Sequence, residues 1–150
     1  MPTEDVVRWL RSEHDDMRKL AGRLRESIAR PPRGGRENWI VELRARFGDF
    51  AARARERMAQ EEENGYLRPV LDARPSLAAQ VDLLKHEHAE LARIIDAVHR
   101  AVHQLTAKDN LLLRDCCKRI EDLLFWVERH EEHENHIVLY AFAKGTGART

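Results

Sequence analysis

Only two cysteines occur in this chain, and they are neighbours, Cys116 and Cys117. Successive residues on a helix point about 100° apart, so a disulfide between them would distort the backbone. The pair reads as reduced packing residues, with a redox role as the lesser alternative. Proline and glycine are scarce as well, five and seven, and most gather at residues 31–35, 65–69, 75 and 145–147. Everything between reads as helix. No charge of one sign dominates: 26 basic and 26 acidic side chains cancel and interleave, which removes the electrostatic footprint of a nucleic-acid or anionic-membrane binder. No apolar run approaches the ~18 residues of a membrane span. The amino terminus, MPTEDVVRWLRSEHDD, carries acids where a signal peptide has a basic start and an apolar stretch. A cytoplasmic protein is expected. H-E-x-x-H spacing, a Gly-rich phosphate loop and serine or cysteine nucleophile motifs are also missing, which excludes a zincin protease and leaves phosphate-loop or nucleophilic chemistry without residues.

What is present is a set of long amphipathic segments. A chain of 150 residues with 43% hydrophobic content predicts one domain, large enough to bury a core without staples. Helix is expected over about 4–29, with Val7, Leu10, His14, Met17, Ala21, Leu24 and Ile28 on one face, ended by PPRGG. A second is expected over about 37–63, its stripe Trp39, Leu43, Phe47, Phe50, Ala54 and Glu61, stopped by Asn64 and Gly65. A third opens near Pro75 and Ser76 and runs to about 105, with Leu77, Val81, Leu84, His88, Ala92, Ile95, His99 and Val102 sharing its inner face. The fourth covers about 108–143 through Leu112, Cys116, Ile120, Leu123, Val127, His130, Glu134, Ile137 and Ala141. Four such helices with short connections predict an all-α, antiparallel up-down-up-down four-helix bundle.

Polar residues interrupt these stripes at one level. His130 and Glu134 are four apart in HEEHENH, so one helical face carries both. His14 lies toward the start of the first helix, Glu61 at the end of the second, His88 toward the start of the third, and His130 with Glu134 toward the end of the fourth. In an antiparallel bundle those positions share one end. A carboxylate on an apolar stripe is costly unless a cation compensates it, and imidazole with carboxylate and no thiolate suits iron, manganese or zinc. Ligands meeting from facing helices are one way to build a dinuclear carboxylate site.

The segments EHDDMRKL at 13–20, RMAQEEENGYLRPVL at 57–71, LKHEHAEL at 84–91 and HEEHENHIVLYAF at 130–142 resemble the hemerythrin-like family of HHE cation-binding domains. That resemblance implies a non-haem di-iron bundle with His14, Glu61, His88, His130 and Glu134 at ligand positions. It also implies binding or sensing of dioxygen, nitric oxide, peroxide or iron itself. One position departs from it. Where the family's second helix reads H-x-x-x-E, this chain has Arg57, and a guanidinium does not ligate a metal. Three outcomes are open: an asymmetric two-iron site completed by water or a neighbouring group, a single ion on His88, His130, Glu134 and Glu61, or an Arg57–Glu61 ion pair in a dead site.

The partner classes that follow are a small diatomic ligand or peroxide, with no nucleic acid or membrane, and an oxidase- or peroxidase-like activity as a weaker reading. The alternative is a metal-poor bundle serving as a regulatory or interaction module. Other histidines carry less. His133 lies about 60° from His130 at the edge of the site, His136 and the His86/Glu90 pair face solvent, and His99 with His103 lacks acids at its level. Glu62 and Glu63 are expected to solvate the bundle end, with one of them moving in to replace the missing ligand as the alternative, and Tyr66 and Leu67 to be exposed beside it.

Overall fold

The computed structural model describes residues 3–63 and 65–143. The stop assigned to Asn64 and the glycines at 145–147 lie outside the described residues. Helix α1 covers Thr3–Ala29, α2 Arg36–Glu63, the short α3 Leu67–Ala73, α4 Ala78–Gln104 and α5 Leu111–Phe142, with a 3-10 turn at Pro75–Leu77 leading into α4. The four long helices form a ring in which α1 packs on α2 and α5, and α4 packs on α2 and α5.

Side-chain ties fix their directions. Arg46 reaches Ser27 while Arg53 reaches Glu13, so α1 and α2 run opposite ways. Arg44 donates to the Val102 carbonyl and Arg55 pairs with Asp96, which makes α2 and α4 antiparallel too. The two shorter connections are tight. PPRGG stops α1 because proline lacks an amide proton and Gly35 takes a φ of 66°, a left-handed conformation that costs glycine little.

The interior has two apolar clusters. The larger spans Met17, Leu24, Phe47, Phe50, Ile95, Ile120 and Val127. The smaller gathers Val6, Leu10, Tyr66, Leu67, Val70, Leu84 and Val138 at the other end. Between them every long helix places a buried polar residue: His14, Glu61, His88, and His130 with Glu134.

Two expectations fail, both at helix ends. Tyr66 and Leu67 are 0% and 2% exposed, because the chain after α2 folds back and α3 lays Tyr66, Leu67 and Val70 over the end of the bundle. The apolar rhythm of α5 begins on Leu113, while Leu112 is exposed. The segment from 105 to 110 turns through Thr106 and Asp109, and the helix starts only at Leu111.

Candidate metal centre

Four of the five candidate ligands come together. One donor atom from each of Glu61, His88, His130 and Glu134 lies within 4.8 Å of the others, and all four residues are buried. The spacing explains this. Each is the stripe residue of its helix at the level where the apolar clusters part, so packing that buries Phe47 and Ile120 also delivers these four to the axis.

The imidazole rings are held in defined tautomers. His88 Nδ1 donates to Glu62 Oε2 at 2.8 Å, and His130 Nδ1 donates to Glu87 Oε1 at 2.8 Å. A proton on Nδ1 leaves Nε2 with its lone pair. Both Nε2 atoms are buried and have no hydrogen-bond partner among the described residues. His88 Nε2 stands 2.8 Å from Glu61 Oε1 without hydrogen-bond alignment. Two lone-pair atoms this near repel unless a cation or proton stands between them, and ligands at about 2.1 Å from one metal ion sit about 3 Å apart. The donor set and its orphaned atoms therefore fit a metal ion. Carboxylates behind ligating histidines are the usual outer support of such sites.

The remaining candidate, His14, is placed differently. Its Nε2 donates to Glu134 Oε1 at 3.2 Å, on the side occupied by Arg57. Arg57 is 4% exposed and crosses the interior from α2 to α5. Its Nη2 donates to Glu134 Oε1 at 2.5 Å and approaches Glu61 Oε2 at 3.0 Å, while Nη1 donates to Glu131 Oε2 at 2.9 Å. The Tyr66 hydroxyl donates to Glu134 Oε2.

These contacts set the charges. Burial pushes the Glu61 carboxyl well above the usual carboxylate range, the Glu134 charge adds to this, and Arg57 opposes it. Burial works against ionised Glu134 as well. There Arg57 and the close approach of His130, His14 and Glu61 prevail, holding it well below that range. The two carboxyls are thus driven apart, with Glu134 the ionised one. Burial, then the charges of Glu134 and Glu61, keep the Tyr66 phenol protonated as a donor. His130 is raised: burial pulls it down, but Glu134 and Glu87 outweigh that.

Glu87, Glu131 and Tyr66 escape the sequence reading as site residues, and Glu62 bonds His88 instead of standing in for the missing ligand. The three acids each neighbour a stripe residue, about 100° round the helix, at the seam with the next helix. Glu62 reaches from α2 to α4 and Glu87 from α4 to α5. That adjacency is the signal that was available; Tyr66 depends on α3 and has none. His133 is half-exposed, 3.5 Å from Glu87, and the His86/Glu90 pair is exposed, its closest atoms 3.7 Å apart.

A model of the hemerythrin HHE cation-binding domain matches residues 5–142. The chain belongs to this family, whose helical bundle and cation-binding character agree with the fold and with the buried histidine and glutamate cluster. No curated protein and no solved structure matched the chain.

Proposed function

We propose that this chain, acting as one domain, is a non-haem iron protein that binds or senses a small ligand: dioxygen, nitric oxide or peroxide. Glu61, His88, His130 and Glu134 hold the metal. The observation that carries the reading is the pair of buried Nε2 atoms on His88 and His130 without a hydrogen-bond partner among the described residues, each ring fixed by a carboxylate at Nδ1. Two imidazoles and two carboxylates suit iron, manganese or zinc over Cu(I), and iron, unlike zinc, would supply electron exchange as well as a ligand position when bound.

The protein's own part is access and orientation. A groove of about 490 Å³ between α4 and α5 is lined by Leu91, Ile94, Trp126, Arg129, His133 and His130 itself. Its apolar wall admits a small neutral ligand, and Glu87 keeps the lone pair of His130 turned inward. The balanced charge supports a setting without nucleic acid. No described helix is long and apolar enough to cross a membrane, and a cytoplasmic location belongs to the same proposal.

Iron-dependent absorption of the anaerobically loaded protein, with and without nitric oxide, tests this. It is expected to vanish in His130→Ala, and an unchanged spectrum sinks the assignment. One observation favours a second reading, a metal-poor interaction module: Arg57 already pairs with three carboxylates. That reading requires EDTA to leave the melting temperature of the purified protein unchanged.

A further inference from the structure

Glu61 and Glu134 each turn their two oxygens to opposite sides. Glu61 Oε1 faces His88 Nε2 at 2.8 Å, and its Oε2 faces Arg57 Nη2 at 3.0 Å. Glu134 Oε2 lies 3.5 Å from His130 Nε2, and its Oε1 accepts from Arg57 at 2.5 Å. Both carboxylates therefore bridge two compartments. One holds two imidazole lone pairs; the other holds the guanidinium.

We propose that Arg57 is the built-in second cation of this centre, so that the site takes a single divalent metal ion on the His88 and His130 side. The inference rests on the metal-binding reading above and adds to it the number of ions and what limits that number.

Charge supports it first. Glu61, Glu131 and Glu134, all ionised around a bound metal, face one guanidinium, which leaves two negative charges for neutral histidines and one divalent ion to close; Glu62 and Glu87, behind the histidines, reach solvent and lie outside this count. A second divalent ion beside Arg57 would leave two surplus positive charges in the interior, where uncompensated charge is strongly disfavoured. Donor supply agrees. On the Arg57 side His14 is the imidazole within reach of the bridging carboxylates, and its Nε2 already donates to Glu134. Position agrees as well: Arg57 is buried and anchored to three carboxylates on two helices, so it does not step aside as an exposed side chain would.

The inference narrows the chemistry. A lone ion exchanges one electron at a time, so the centre suits capture or sensing of a one-electron partner such as nitric oxide over two-electron turnover.

Metal-stripped full-length protein titrated with ferrous iron without oxygen, and in parallel with redox-inert zinc, tests it through bound metal per chain. The expectation is about one ion for the natural protein and for Arg57→Lys, which keeps a cation in place, and about two for Arg57→His, which removes the fixed charge and adds an imidazole. Two ions in the natural protein overturn the proposal and leave the metal-binding reading standing; no metal at all overturns both. Two ions in Arg57→Lys, or one in a folded Arg57→His, also overturn it, because the cation at residue 57 would then not set the number.

Discussion

Arg57 and Glu134 meet across the diagonal of the bundle, the guanidinium of α2 donating to the carboxylate of α5 at 2.5 Å with both side chains buried. Burial disfavours the charged guanidinium, but Glu134, Glu61 and Glu131 outweigh that and keep it cationic. Removing one partner of such a pair strands the other's charge in the interior. Arg57→Met is therefore expected to destabilise the metal-free protein by about 3–5 kcal/mol. Urea unfolding measures this, and a loss below about 1 kcal/mol would show that the pairing is not formed.

Glu62 and Glu87 stand behind the two histidines. Glu62→Gln and Glu87→Gln are each expected to weaken metal binding by about 10–100-fold while leaving the number of ions unchanged. Competition against a chelator of known affinity reads the effect. Wild-type affinity in both variants would remove the two carboxylates from the account.

Gly65 is buried where the chain folds back over the last turn of α2. A Cβ there would lie 2.7 Å from the Glu61 Cα and 2.9 Å from the Gln60 carbonyl oxygen, both backbone atoms that cannot rotate away. Gly65→Ala must shift the backbone that carries Glu61. A stability loss of about 1–3 kcal/mol together with weaker metal binding is expected. Unaltered binding would mean that the turn moves without its neighbour.

How much of this was readable from the sequence differs by level. The bundle was legible because the stripes of all four long helices keep a 3.6-residue rhythm, and the level of the buried histidines and glutamates was legible because His14, Glu61, His88, His130 and Glu134 break those stripes at positions that antiparallel packing superimposes. The end of α2 was not. Residues 64–77 have no stripe long enough to show α3, which is seven residues, and the burial of Tyr66 follows from where that helix docks. Nor does spacing reveal that the Arg57 guanidinium reaches three carboxylates. Glu61 one turn away is a sequence relation, whereas Glu131 and Glu134 are neighbours only in the folded bundle.

Burial pushes the Cys116 thiol up to about 12, with Cys117 and Asp115 adding to it. Burial raises Cys117 too, which is only partly covered. The thiolate is the reacting form, and a raised pKa leaves less of it at any given pH. Iodoacetamide is therefore expected to label the native protein slowly at pH 8, Cys117 ahead of Cys116, with labelling accelerating as pH rises and on unfolding. Rapid modification of native Cys116 at pH 8, located by peptide mass, would contradict the packing role.

X-ray absorption at the iron edge of the anaerobically loaded protein reads what surrounds the metal. The prediction is a shell containing about two imidazole nitrogens with carboxylate oxygens, and no second metal at about 3.5–4 Å. A metal neighbour at that distance, or a shell without imidazole, would contradict it.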